Sequence, residues 1–300
     1  MTRNAIYPLT AAAVLAGGIA WWLQSRIPIV SQPALSAAHA IYDARWVALF
    51  DSNVSSQDRV ALARKVDASL RLDEVGAWVA AFHGETSNLA LQEHFLVFNE
   101  VLEQSRQRGL HPQTLGPFLI SCINNASLLP TFRDYAVQHL SLWISVGPYG
   151  QPAETDPAVR RLSIETLCHI AGDASIRSES IPGTALLALS DLYSSGKADL
   201  AAYWPALDEA LSRCIMANDT PLPLRLAAVH AAAIAGRKGQ TPSIRRLADP
   251  ASGQSALHLA AVAALGYLGD SSDRPLLESV AASASLARPA ALAALKRLSP

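Results

Sequence analysis

The 300-residue chain is half hydrophobic, only 6% aromatic and almost neutral, with 24 Lys and Arg against 25 Asp and Glu. Residues 1–26 hold two of the cations, Arg3 and Arg26, and no acid, so the remainder carries 22 against 25, a net −3. That balance argues against a nucleic-acid partner, which needs clustered cations to displace phosphate counterions. The three far-apart cysteines, Cys122, Cys168 and Cys214, form no metal-ligand spacing.

Ala5 to Leu23 is an uncharged run of 19 residues. At about 1.5 Å per residue it matches the roughly 30 Å hydrocarbon core of a bilayer. Trp21 and Trp22 close the run as an interfacial belt ahead of Arg26. Residues 1–26 are therefore expected to form an uncleaved single-pass transmembrane anchor. Two rival readings are a secretory signal cleaved at Ala38-His39-Ala40, releasing the chain to the periplasm, and a buried core helix. Arg3 and the terminal amine face Arg26 alone, which favours an N-terminus inside and a periplasmic remainder. Residues 27–40, with Pro28 and Pro33, read as a linker.

From residue 41 onward the apolar pattern has helical period. Tyr42, Trp46, Leu49 and Phe50 share one face, and Ser55-Ser56 caps a segment whose stripe is Val60, Leu62, Ala63 and Val66. Further helices are expected over 72–82, 88–107 and 113–124, separated by Gly84, Gly109 and Pro112. No stretch alternates at period two for long enough to suggest a strand.

A repeat then emerges. Leu224 to Gly236 aligns with Leu257 to Gly269 at an offset of 33 residues, with Leu, Val and Gly identities in one register. The motif Arg133-x-x-Ala136-Val137-x-x-Leu140 recurs from Arg160, Arg225, His258 and Arg288, with a worn copy from Ala185. Positions 0, +3, +4 and +7 share a helical face. The small residue at +3 admits a neighbouring helix, +4 and +7 bury branched side chains, and the cation at 0 is expected on the rim. Partner helices fall at 113–124, 200–216 and 273–282. Cys122-Ile123 and Cys214-Ile215 precede Arg133 and Arg225 by the same interval, whereas Cys168 is assigned to a different kind of helix and the equal cysteine spacing to chance.

On the segments Leu224 to Gly236, Leu257 to Asp270, Arg274-Pro275-Leu276-Leu277 and Arg288 to Leu298, the chain resembles the HEAT repeat family, in its bacterial HEAT-like form. The likeness is clearest over 130–300. It implies an all-α fold over 41–300, a right-handed α-solenoid of antiparallel helix pairs, and a role in holding or regulating other proteins. Some HEAT-like arrays are instead bilin lyases or DNA glycosylases.

Candidate chemistry is sparse. The eight histidines, at 39, 83, 94, 111, 139, 169, 230 and 258, include no HExxH motif and no i, i+4 pair. Glu93-His94 is adjacent on one helix, and His230 and His258 sit on the most Ala-rich helices. Asp73-Glu74 and Asp208-Glu209 read as solvated surface pairs. Gly147-Pro148-Tyr149-Gly150 is a turn, not a phosphate loop. Asn53, Asn125 and Asn218 match a glycosylation pattern too short to be specific. Tyr193, Tyr203 and Trp204 cluster at a break, either as core or as an anchor for a partner. The sequence thus assigns no catalytic, cofactor or metal residue and no small-molecule substrate. It points to a membrane-tethered scaffold for a protein partner, with a HEAT-like enzyme or an envelope component assembling through Gly17-Gly18 as alternatives.

Overall fold

The computed structural model describes residues 45–82, 88–147, 156–176, 180–250 and 255–298. The expected anchor, the linker, Tyr42, His39, His83 and Pro148 to Gly150 lie outside these residues. Among the described residues there are fourteen α-helices and no strand, and no helix is long and apolar enough to cross a membrane. The helices are α1 (Val47–Phe50), α2 (Ser56–Ala63), α3 (Leu72–Ala80), α4 (Asn88–Gln107), α5 (Leu115–Asn124), α6 (Pro130–Ser145) and α7 (Pro157–Gly172). They continue as α8 (Ile181–Ser194), α9 (Trp204–Met216), α10 (Leu222–Ile234), α11 (Thr241–Ala248), α12 (Ser255–Leu268), α13 (Arg274–Ala282) and α14 (Arg288–Arg297).

Local chemistry sets many of the boundaries. α6 to α11, α13 and α14 all carry proline at their first or second position, where the missing N–H has no intrahelical partner to lose. Ser55 caps α2 by accepting from the Asp58 N–H at 3.1 Å. α8 and α10 end in glycines with left-handed backbone, Gly196 at φ 67° and Gly236 at φ 64°. There Lys197 N bonds Leu192 O and Arg237 N bonds Ala232 O, closing the last turn of each helix.

Packing follows two rules. Helices consecutive in the chain pack as pairs, α5 on α6, α7 on α8, α9 on α10, α11 on α12 and α13 on α14. Every second helix also packs on the next of its series. α2, α4, α6, α8, α10, α12 and α14 form one series, and α3, α5, α7, α9 and α11 the other. The core runs through all of them: the matched positions Leu224 and Leu257, Ala228 and Ala261, Val229 and Val262, and Ala231 and Ala264 are buried alike. The +3 position is buried in all six copies, at Ala136, Ser163, Ala188, Ala228, Ala261 and Ala291. The +4 position is buried until the last copy, where Leu292 is 52% exposed because no further described helix covers it.

Three expectations need correction. The Arg160 copy lies on α7, in the series opposite to α6, α8, α10, α12 and α14; both series bury the same stripe, so the motif alone does not tell them apart. Cys122, Cys168 and Cys214 lie on α5, α7 and α9, three successive members of one series. Their equal spacing therefore tracks the two-helix unit and is not chance. Cys122 and Cys214 are buried and Cys168 is half-buried.

The third correction concerns the cation at position 0. Arg133, Arg225 and His258 are buried rather than on the rim, while Arg288 is exposed. The two arginines reach back to the end of the preceding helix. Arg133 Nε donates to Ile123 O at 3.0 Å, and Arg225 donates to Ile215 O through Nε at 3.3 Å and Nη2 at 3.0 Å. These carbonyls belong to the last turns of α5 and α9, where they have no N–H donor within their own helix. Arg160 does the same for Ile144 O of α6 at 2.8 Å, and Arg213 for Gly172 O of α7 at 3.1 Å. The recurring Cys-Ile and Arg are thus one junction, a guanidinium sealing a helix C-terminus.

Candidate functional site

The residues set side by side by this packing include a cleft of about 760 Å³ between α3 and α5. One wall is a face of small side chains, Ala68, Gly76, Ala77 and Ala80. The opposite wall carries Thr114, Phe118, Ser121 and Asn125, which recur at about one, two and three turns along α5. Phe118 reaches Gly76 so closely that a Cβ on Gly76 would lie 3.3 Å from the ring.

The cation at the cleft, Arg71, is engaged by acidic neighbours, Asp73 and, at 4.0 Å, Glu74. Arg71 and Asp73, both at the mouth, are bonded to each other through Nε at 3.0 Å and by a second, shorter contact from Nη2. The arginine holds the Asp73 carboxyl below its usual range. His111 closes one end with its backbone at φ 55°, the one non-glycine residue with positive φ among those described. Such a conformation is unfavourable, all the more in a residue preceding proline. Burial pushes the His111 pKa down, against a smaller opposing effect of its bond to the Leu70 backbone, and Nε2 is buried without a partner. The imidazole is neutral at neutral pH. Burial alone raises the nearby Cys122 thiol to about 12, so it is not a nucleophile.

The candidates read from the sequence are distributed elsewhere. Glu93 and His94 do converge, on Arg59 of α2: Nη1 lies 3.0 Å from His94 Nδ1 and Nη2 donates to Glu93 Oε2 at 3.2 Å. Arg59 and His94 are buried, and Trp78 and Phe82 flank the imidazole at 5.5 and 4.1 Å between ring centres. Desolvation first, then the Arg59 charge, lowers the His94 pKa to about 4. This leaves a neutral acceptor inside the core. His139, in α6, is likewise buried and held neutral by desolvation, with Nε2 3.0 Å from Asn99 Oδ1.

His230 is half-buried near Asp191, and His258 is buried with Nδ1 unpartnered. Asp208 and Glu209 bind Arg237 and Arg213. Asp73-Glu74 is not a solvated pair, because Glu74 is buried with Oε2 unpartnered. Asn125 caps α5, its Oδ1 accepting from Ser127 N at 3.0 Å. Trp204 is buried core. Tyr193 lies edge-on to it, centroids 5.0 Å apart, and Arg237 stacks on it at 4.0 Å. Among the described residues no three His, Cys, Asp or Glu side chains are grouped to hold a metal ion.

His111 and the small wall of α3 carried no signal in the sequence. The cleft joins residues 68–80 to residues 111–128, a pairing that only the packing of α3 on α5 creates. In comparisons with known proteins, no family model matches the chain and no curated protein matches it.

Proposed function

We propose that residues 41–300 form a right-handed α-solenoid of HEAT-like antiparallel helix pairs, held at a membrane by residues 1–26, and that the chain is a non-catalytic scaffold or adaptor for a protein partner in the periplasm. The observation that carries this reading is the double packing rule, in which the helices from α5 onward pair with a chain neighbour and those from α2 to α12 meet the next helix of their own series. A stack of that kind buries apolar surface only between neighbours and leaves a long continuous face for binding. The buried histidines and arginines favour it as well, since they are committed to sealing helix ends and seams.

Proximity labelling from a C-terminal tag on the full chain tests the proposal. The expected result is a small, reproducible set of periplasmic or membrane proteins, released from the membrane fraction when residues 1–26 are removed. Labelling of cytoplasmic proteins alone would overturn the location, and labelling of no protein other than the chain itself would overturn the adaptor role.

A further inference from the structure

The cleft between α3 and α5 stands apart from the scaffold reading and does not depend on it. Its volume, about 760 Å³, lies within the range of roughly 300–1,000 Å³ of small-ligand clefts, and it is open to solvent along Ala77, Thr114, Ser121 and Asn125. Three features of its lining restrict what it can hold. First, the full charges in its lining, Arg71 and Asp73, are bonded to each other, Arg71 also faces Glu74 Oε1 at 4.0 Å, and His111 is neutral. An ion entering the cleft would lose hydration and would have to compete with these pairs for a counter-charge.

Second, one wall is apolar, with the small residues Ala68, Gly76, Ala77 and Ala80 beside Leu72, and the Phe118 ring lies opposite. This wall offers apolar contact to a ring or short hydrocarbon body. Third, Thr114, Ser121 and Asn125 line one edge. A wholly apolar occupant would strip these groups of water and give them no hydrogen bond in return.

We infer that the α3–α5 cleft is a binding site for an uncharged amphipathic organic molecule, its apolar body against the Ala77 wall and Phe118 and its hydrogen-bonding group toward Thr114, Ser121 and Asn125. N-phenyl-1-naphthylamine, neutral with one N–H, is the probe, and 8-anilino-1-naphthalenesulfonate, with the same ring body plus a sulfonate, is its charged counterpart. Fluorescence titration of the full chain is expected to give one saturable site for the amine and at least tenfold weaker binding of the sulfonate. Ala77→Trp, at an exposed position on the cleft wall, is expected to abolish amine binding while leaving the thermal unfolding midpoint unchanged. Thr114→Val with Ser121→Ala, both exposed, is expected to weaken it several-fold. Absence of saturable amine binding, equal binding of the sulfonate, or unchanged binding by Ala77→Trp would each overturn the inference. If Ala77→Trp lowers the unfolding midpoint, Ala77→Leu takes its place with the same expected loss.

Discussion

Arg225 shows at the smallest scale how this chain uses charge. Its guanidinium is buried to satisfy Ile215 O with two hydrogen bonds, and Arg133 repeats the arrangement at Ile123 O. Arg225→Met keeps the apolar stem and leaves the carbonyl unsatisfied, at an expected cost of about 1–3 kcal/mol. A urea midpoint equal to wild type would contradict this role. His94 makes the core pH-sensitive. Its pKa is near 4 in the fold against 6.5 for the free side chain, so the unfolded chain takes up the proton first as pH falls. Stability is therefore full above about pH 6.5, declines toward pH 4 and levels off below, with up to ~3 kcal/mol at stake from this group. His94→Gln, which keeps an acceptor for Arg59, is expected to shrink the difference in urea midpoint between pH 7.5 and pH 4.5. An undiminished difference would assign the acid sensitivity to other groups, His139 foremost.

Between neighbouring helices, the limiting feature is how closely backbones approach. A Cβ on Gly266 would lie 2.9 Å from Ala294 Cα, where α12 meets α14. Gly266→Val is expected to force these helices apart and cost about 1–3 kcal/mol, with Gly266→Ala costing less. Thermal unfolding of the two variants checks the order, and an unchanged midpoint for the valine variant would contradict the contact. Helices were largely legible from sequence because period, proline and glycine act locally: residues 88–107 were expected and observed as α4, and Gly236 ends α10 as the pattern indicates. Position 0 was misread because periodicity locates a face without naming what the face meets. An arginine beside a core stripe looks like a rim residue until a neighbouring helix end is placed against it. The cleft was illegible for a related reason, since Gly76, Ala77 and Ala80 are ordinary small helix residues until α5 stands opposite.

For the molecule as a whole, the double packing rule makes coupling local. In the proposed solenoid each two-helix unit would gain its stability from the units on either side, so damage is expected to spread to neighbours and fade with distance. Val262, fully buried in α12 at the +4 position, is the place to apply it. An unpaired carboxylate there replaces a side chain whose burial contributes roughly 1.5–3 kcal/mol. The most direct test is amide hydrogen exchange, read helix by helix, on Val262→Asp against wild type. The stack predicts lost protection in α11 to α14, partial loss in α10, and wild-type protection from α2 to α6. Uniform loss along the chain, or none anywhere, would contradict it.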